Sequence, residues 1–356
     1  MKNRIEKLRA KLNTLGVDAV YVSSQTSHRY FTKMDNGDGW LLITRENAYA
    51  FEDFRYIEVA TNLLSGVYTV IDPKKTRGQY IVEIAEREGI AVLGFEENHV
   101  SVGDFGTLKG EIGSSMEYKG VSDAIMQMRE VKDEWEIEQI AKAQEITDKA
   151  FEHILTVISK DITENDVAAE LEYFMRKNGA EDKSFETISI NAEKTSLPHG
   201  VPGNVKLRNG FLTMDFGATV NGYHSDMTRT VCVGKADSEM KKLYNTVLEA
   251  QKAGLEYLMA GGRVAKDADK VARDIIYKDY EGYFGHSLGH SVGLEIHEVP
   301  ALSPKSERIL VPGNIVTVEP GIYIPGKYGV RIEDLVVICE NGIKNLTKSP
   351  KELIEI

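Results

Sequence analysis

Features that define several classes of protein are scarce in this sequence. It has only two cysteines, Cys232 and Cys339, which lie in apolar runs and form no CxxC pair. We therefore expect neither a disulfide framework nor a cysteine-rich zinc site. No apolar run is long enough to cross a bilayer, and the segment after Met1 has no apolar signal core. These absences predict a cytoplasmic protein with no membrane partner.

Basic residues are outnumbered by acidic ones. The chain has 43 lysines and arginines against 55 aspartates and glutamates, which gives a formal net charge of -12. This balance disfavours nucleic acid and anionic membranes as partners. The length of 356 residues exceeds the size at which a single core usually stops growing, and 42% of the residues are hydrophobic. Two domains are therefore expected.

Residues 1–124 alternate between helical and strand-like patterns, which predicts an α/β domain. An amphipathic helix begins near Ile5 and is ended by Gly16. Further strands are predicted at 19–22, 40–44, 67–71 and 91–95, with helices near 54–63 and 78–89. This domain shows no chemical motif. We interpret its loop 35–39, Asp35-Asn36-Gly37-Asp38-Gly39, as an ordinary surface turn, although such a loop can approach a ligand.

A different order of elements begins near Val131 and predicts a second domain over residues 125–356. Asp133 and Glu136 form a capping-box pattern before a long helix, and a second helix begins at Thr163. Strand-like segments follow, and then the same order recurs from Ser238 onward. Because the order of elements repeats but the residues do not, we expect an α+β fold with internal two-fold pseudo-symmetry.

Two pairs of acidic residues occupy matching places in the two halves. Asp215 and Asp226 flank Asn221-Gly222, a strong signal for a two-residue hairpin turn. In such a hairpin Asp215 lies opposite Thr228, and Asp226 points to the same face. Two carboxylates on one sheet face need a shared proton or a cation. The alternative is a surface hairpin with solvated aspartates, but the strand before Asp215 is strongly apolar.

Glu319 and Glu333 repeat this arrangement around the turn region 325–329. Their even separation allows both side chains to face one way if the strands pair regularly. Glu319 follows the apolar run Ile315-Val316-Thr317-Val318, where an unpaired carboxylate is costly.

Three of the eight histidines, His286, His290 and His297, lie in one glycine-containing segment. His286 and His290 are four residues apart, as in the HExxH motif, but the intervening Ser-Leu-Gly is a poor helix former. A single buried histidine is usually structural, but three within twelve residues indicate a site. One imidazole with four carboxylates is a hard ligand set that suits Mn²⁺, Co²⁺ or Fe²⁺. Such a set can hold two ions roughly 3.5 Å apart, which activate water and stabilise a tetrahedral intermediate.

Taken together, these segments closely resemble the family of Xaa-Pro aminopeptidases and Xaa-Pro dipeptidases (prolidases). The motifs that carry the resemblance are Met214-Asp215-Phe216-Gly217-Ala218, Ser225-Asp226-Met227-Thr228-Arg229-Thr230, Gly285-His286-Ser287-Leu288-Gly289-His290, His297-Glu298, Val318-Glu319-Pro320-Gly321 and Gly329-Val330-Arg331-Ile332-Glu333-Asp334. The resemblance implies a pita-bread catalytic domain over 125–356 and a creatinase-type N-terminal domain over 1–124. It also implies a homodimer.

The resemblance further implies roles for particular residues. Its metal ligands are Asp215, which binds one ion, Asp226 and Glu333, which bridge both, and His290 and Glu319, which complete the other side. The expected cofactor is a pair of divalent ions, Mn²⁺ in the first place, with Co²⁺, Fe²⁺ or Zn²⁺ as alternatives. Its catalytic residues are His199, His286 and His297 around the substrate, Glu319 as proton shuttle, and Arg331 and Tyr323 behind the ligands.

One position departs from the family. Many archaeal-type prolidases and related aminopeptidases carry an arginine after the segment His297-Glu298-Val299-Pro300, whereas this chain has Ala301. An arginine there can bind a free substrate carboxylate. Its absence leads us to expect an Xaa-Pro aminopeptidase acting on proline-containing peptides, with a dipeptidase as the alternative.

The sequence leaves three alternative types of protein to be considered. Methionine aminopeptidases share the ligands but usually lack the N-terminal domain, and creatinase-like amidinohydrolases do not keep the ligands. A catalytically inactive peptide-binding protein on this scaffold usually loses one or more of them.

Overall fold

The computed structural model describes residues 1–35 and 37–356, so that Asn36, within the loop interpreted above as a surface turn, lies outside the described residues. The chain divides into two compact units, Met1–Arg129 and Glu130–Ile356. The expected domain boundary, after residue 124, falls inside the helix Ser122–Glu130. Within the described ranges, no helix combines the length and the apolar composition that a bilayer crossing requires.

The first unit is an α/β domain built on one mixed sheet. Its helices are α1 (Lys2–Leu15), α2 (Gln25–Thr32), α3 (Ile57–Leu64), α4 (Arg77–Glu88), α5 (Val102–Ile112) and α6 (Ser122–Glu130). Its strands are β1 (Ala19–Val22), β2 (Trp40–Thr44), β3 (Ala48–Phe51), β4 (Thr69–Ile71), β5 (Val92–Phe95) and β6 (Glu117–Gly120). The strand order is β4-β3-β2-β1-β5-β6, in which β2 runs antiparallel to its neighbours. Apolar side chains from the strands and from α4 and α5 form one of its apolar clusters.

The second unit places helices against short antiparallel sheets. Its helices are α7 (Glu134–Ile154), α8 (Glu164–Lys177), a 3₁₀ turn (Ala192–Ser196), α9 (Ser238–Met259) and α10 (Ala265–Tyr280). Its first strands are β7 (Asp182–Lys183), β8 (Ile188–Asn191), β9 (Gly210–Phe216), β10 (Ala218–Val220), β11 (Tyr223–His224) and β12 (Met227–Val233). Its later strands are β13 (Gly289–Ser291), β14 (Glu298–Leu302), β15 (Ile315–Val318), β16 (Gly321–Ile324), β17 (Tyr328–Arg331), β18 (Asp334–Ile338) and β19 (Ile343–Asn345).

The two halves of this unit have separate apolar cores. One packs α7 and α8 against β9 and β12, and the other packs α9 and α10 against β15 to β18. Local signals begin the helices of the first half as predicted. Asp133 and Glu136 form the capping box of α7, and Thr163 with Asp166 forms that of α8. Each half therefore supports its own hairpins from one side with a pair of helices.

A long interrupted hairpin crosses each half. In the first, β9 pairs with β12 and β10 pairs with β11 in one continuous register. In the second, β15 pairs with β18 and β16 pairs with β17, again in one register. The strands separate briefly at the middle of each hairpin, and the acidic pairs lie at these interruptions.

Candidate active site

A cavity of about 470 Å³ in the second unit brings the predicted residues together. The residues that line it include all five expected ligands, namely Asp215, Asp226, His290, Glu319 and Glu333. The same lining includes His199, His286, His297 and Arg331. Tyr323 lies behind this wall, in hydrogen-bond contact with Arg331.

The first acidic pair is placed by the hairpin that the sequence predicts. Asn221 and Gly222 have φ values of 48° and 75°, as a two-residue hairpin turn requires. Asp215 pairs with Thr228, and the shared register sets Asp226 opposite Gly217. A β-carbon on Gly217 would lie 2.0 Å from the carbonyl oxygen of residue 225, so only glycine fits where the strands draw together.

The second acidic pair is placed by the same device. The register of the flanking ladders sets Glu319 opposite Glu333, with Gly321 pairing with Arg331 on one side and Val318 with Asp334 on the other. The backbone N–H of Glu333 donates to the carbonyl of Thr228, which joins the second hairpin to the first at 3.1 Å. The two pairs are therefore held beside each other by backbone structure.

The side chains of the two hairpins converge around His290. Its Nε2 lies 3.5 Å from Asp226 Oδ2 and 3.4 Å from Glu319 Oε1. Asp226, His290 and Glu333 each offer one ligand atom, and these atoms lie within 4.8 Å of one another. This spacing is suited to a metal ion.

Electrostatics oppose four ionised carboxyl groups in this space. Burial, followed by the charge of Glu333, raises the pKa of Asp226 well above its ordinary value. Burial and the charge of Glu319 raise the pKa of Glu333 in the same way, and burial raises the pKa of Glu319 to about 8. Cations among these groups favour their ionised forms and remove the repulsion.

Two further observations fit a cation site. Asp215 Oδ1 and Glu333 Oε1 are buried acceptors that have no hydrogen-bond partner among the described residues. His290 Nδ1 lies 3.1 Å from the Ser291 carbonyl oxygen, to which it donates its hydrogen. The lone pair of Nε2 is therefore left to face the carboxylates, and a carbonyl orients the ring as is usual for a metal-binding histidine.

A chain of hydrogen bonds supports Asp215 from behind. Arg331 Nη2 donates to Asp215 Oδ2 at 2.6 Å, and Arg331 Nη1 donates to the Tyr323 hydroxyl at 2.8 Å. That hydroxyl lies 2.9 Å from His286 Nε2, while His286 Nδ1 lies 2.8 Å from the Ser287 carbonyl oxygen. Burial and the charge of Arg331 lower the pKa of His286 to about 4, so its ring is neutral and accepts from Tyr323. Both nitrogens of His286 are therefore engaged within the protein.

His199 and His297 are placed differently from His286. The His297 ring centroid lies 4.4 Å from that of His290. Burial and then the charges of His290 and His199 lower the pKa of His297, which shows that the three rings share one region. His199 and His297 both face the cavity, so each can reach a bound ligand.

Two threonines that no sequence motif indicated organise the carboxylates. Thr228 donates to Glu333 Oε2 at 2.8 Å and accepts from Arg331 Nε at 3.0 Å. Thr317 donates to Glu319 Oε1 at 3.0 Å and accepts from the backbone N–H of His290 at 3.0 Å. Each threonine lies two residues from a carboxylate, and this period-two spacing is the signal that would have found them. No motif pointed to the apolar lining residues Phe185, Ile188 and Ile296.

Comparison with known proteins agrees with this geometry. Residues 138–340 match metallopeptidase family M24, and residues 4–131 match the creatinase/prolidase N-terminal domain. The chain belongs to metallopeptidase family M24. It is 39% identical over 358 residues to an Xaa-Pro dipeptidase of Pyrococcus furiosus, which covers 99% of this chain and 100% of that protein.

Solved structures give the same result. An Xaa-Pro dipeptidase from Bacillus anthracis matches with a TM-score of 0.94 and 40% identity, covering 99% of each chain. An X-Pro aminopeptidase from Thermotoga maritima matches with a TM-score of 0.90 and 36% identity, covering 98% of this chain and 100% of the other. The expected family, the pita-bread fold with its creatinase-type N-terminal domain and the metallo-exopeptidase class are thereby confirmed. Membership of the family implies divalent metal ions.

Proposed function

We propose that this M24 peptidase hydrolyses the bond before proline in Xaa-Pro dipeptides and uses two divalent ions held by Asp215, Asp226, His290, Glu319 and Glu333. Mn²⁺ is the proposed metal, because the ligands are mostly carboxylate oxygens. The aminopeptidase preference that the sequence suggested gives way here to its alternative. The reason is that similar proteins from Pyrococcus furiosus and Bacillus anthracis are named Xaa-Pro dipeptidases.

The observation that carries the metal assignment is the pair of buried, unpartnered acceptors in a cluster of acids. Asp215 Oδ1 and Glu333 Oε1 are both buried without a hydrogen-bond partner among the described residues, which is costly in a folded protein. Coordination to cations would satisfy both. When bound, paired divalent ions supply Lewis acidity and activate water as a nucleophile.

The chain's own residues would bind the substrate and move protons. Glu319 is the proposed proton carrier, because Oε1 is fixed by Thr317 at 3.0 Å and Oε2 remains to exchange a proton. We assign to His199 and His297 the donation of hydrogen bonds to the carbonyl of the scissile bond. We assign to His286, through Tyr323 and Arg331, the orientation of Asp215.

Proline can be selected by shape in this cavity. An Xaa-Pro amide has no N–H group, and its ring fixes φ. Apolar side chains of Phe185, Ile188 and Ile296 line the cavity and suit a pyrrolidine ring. A site that offers no acceptor at the amide position would therefore favour proline over residues with a free N–H.

An Xaa-Pro aminopeptidase is the second candidate, and one observation favours it. Among the described residues that line the cavity, Arg331 is the sole lysine or arginine. Its guanidinium is already bonded to Asp215, Tyr323 and Thr228. Ala301 lines the cavity where the resemblance to prolidases led us to expect an arginine, so no free cation of this unit's cavity lining meets the carboxylate of a dipeptide.

The two candidates are separated by the kinetics of Ala-Pro and Ala-Pro-Ala in Mn²⁺. The proposed function predicts a higher kcat/KM for Ala-Pro. A higher kcat/KM for Ala-Pro-Ala, with the gap narrowed by Ala301→Arg, would establish the aminopeptidase instead. Cleavage of Ala-Ala as fast as Ala-Pro would contradict both. Homodimeric assembly and a cytoplasmic location stay predictions, and light scattering of the purified chain checks the first.

A further inference from the structure

A buried lysine lies beneath the segment that carries His297. The side chain of Lys132 is 1% exposed, and Nζ donates to Ser291 Oγ at 2.9 Å and to Glu298 Oε2 at 3.1 Å. The Glu298 side chain is 5% exposed. Lys132 lies between the two segments that match known domains, 4–131 and 138–340. A buried ammonium is costly unless it is paired, so the structure holds this contact tightly.

The two partners of Lys132 close the base of a hairpin. Ser291 and Glu298 face each other across the β13–β14 pair, at the end next to the connecting segment 292–297. His290 immediately precedes Ser291, and His297 immediately precedes Glu298. Lys132 bonds to both partners, so it holds the base of the hairpin together next to the two histidines.

Glu298 also supports the connecting segment from within. Its Oε1 accepts from the backbone N–H of Glu295 at 3.2 Å. A β-carbon on Gly293 would lie 2.6 Å from the Glu298 carboxyl group, so the segment folds directly over that group. Movement of the Glu298 carboxylate would therefore shift the segment that ends in His297.

His290 and His297 differ in how they are anchored. His290 has its own supports, because its backbone N–H donates to Thr317 Oγ1 and its Nδ1 donates to the Ser291 carbonyl. The His297 ring has no hydrogen bond to any described residue and contacts the His290 ring at 4.4 Å. The position of the His297 ring thus depends on its backbone, and its backbone depends on the base of the hairpin.

We propose that Lys132 is a positioning residue that fixes His297 over the metal centre by clamping Ser291 to Glu298. The inference rests on the proposed function, in which His297 donates a hydrogen bond to the substrate carbonyl. Lys132 is not among the residues that line the cavity, so it acts on the reaction through the 292–297 segment.

A double-mutant cycle with His297 tests this role. Lys132→Met should lower kcat for Ala-Pro by about 10- to 100-fold, as loss of a group that orients a catalytic residue typically does, with KM and metal content unchanged. In a His297→Ala background the same change should have little further effect, because the group it positions is gone. An equal fold-loss in both backgrounds, or loss of metal from Lys132→Met, would overturn the proposal.

Two more variants separate positioning from stability. Lys132→Met with Glu298→Gln removes both buried charges, so it should regain thermal stability and yet keep the low kcat. Full recovery of kcat in this variant would show that the ion pair is structural only. Lys351→Met is the matched control, since Lys351 also binds one carboxylate and one neutral oxygen, at Asp334 and Gln251. It should lose stability and keep kcat.

A crystal structure of Lys132→Met tests the positioning of His297 without relying on the proposed function. The inference predicts that His297 moves relative to His290, whereas an unmoved His297 would overturn it. A wild-type chain that cleaves no Xaa-Pro substrate would refute the proposed function, and the crystal structure would still decide for or against Lys132.

Discussion

Thr228→Val removes one hydroxyl from the middle of the proposed metal centre and keeps the shape of the side chain. Thr228 is fully buried, donates to Glu333 Oε2 at 2.8 Å and accepts from Arg331 Nε at 3.0 Å. Valine leaves Glu333 free to turn away from the cluster and leaves the Arg331 donor unpaired. Both partners are charged groups, and a hydrogen bond to such a group is worth about 1.5–3 kcal/mol.

The expected result is weaker metal binding together with lower stability. Loss of a partner that orients a metal ligand typically costs about 10- to 100-fold in affinity, or roughly 1.4–2.7 kcal/mol. Titration of the metal-free protein with Mn²⁺ by calorimetry gives the dissociation constant, and thermal unfolding gives the stability. Saturating Mn²⁺ should recover part of the lost melting temperature, because the ion favours the folded state.

Thr230→Val is the matched control for this change. Thr230 lies on the same strand, is 1% exposed, and donates to the backbone carbonyl of Arg331 at 3.0 Å. Its replacement should lower stability by a similar amount without changing the dissociation constant for Mn²⁺. Equal metal affinities in Thr228→Val and Thr230→Val would refute the reasoning that Thr228 orients Glu333.

Two further predictions concern the metal ions and the substrate. Removal of metal with a chelator should lower the melting temperature, and Mn²⁺ should restore it. The reason is that a ligand at a hundredfold excess over its dissociation constant stabilises the folded state by about 2.7 kcal/mol. A melting temperature that responds to neither treatment would count against a metal site. His297→Ala should lower kcat/KM for Ala-Pro by about 10²–10³-fold while both ions stay bound, because it removes a donor to the transition state. Elemental analysis of that variant is the check, and loss of one ion would make His297 a ligand.

Local sequence signals predicted much of the catalytic unit. The turn signal Asn221-Gly222 correctly set Asp215 opposite Thr228, because turn geometry fixes the register of a hairpin. The starts of α7 and α8 were predicted correctly, since a capping interaction involves residues only three apart.

These local signals did not predict contacts between segments that are distant in the sequence. The bond from Arg331 to Asp215 joins residues 116 positions apart, and that from Lys132 to Glu298 joins residues 166 apart. No periodicity specifies such pairs, since they depend on how complete hairpins pack. Short elements of the first unit, such as α2 and β3, were also missed. An element of eight or four residues carries few positions from which to read a period.

Ala301 led to the expectation of an aminopeptidase. Ala301 does line the cavity, as its departure from the family suggested. The preferred substrate length nevertheless depends on which cation binds the substrate carboxylate. The residue type at one position does not determine the identity of that cation. The relatives named Xaa-Pro dipeptidases therefore outweigh it in the proposed function.

The central claim is that the clustered carboxylates and His290 hold a pair of divalent ions. Elemental analysis of the wild type and of Asp226→Ala, each loaded with Mn²⁺ and freed of excess metal, tests it most directly. Asp226 is 4% exposed and lies beside His290 and Glu333, so its loss should break the site while the fold persists. We expect two ions per wild-type chain, with metal lost and activity abolished in the variant. Equal metal content and equal activity in the two proteins would contradict it.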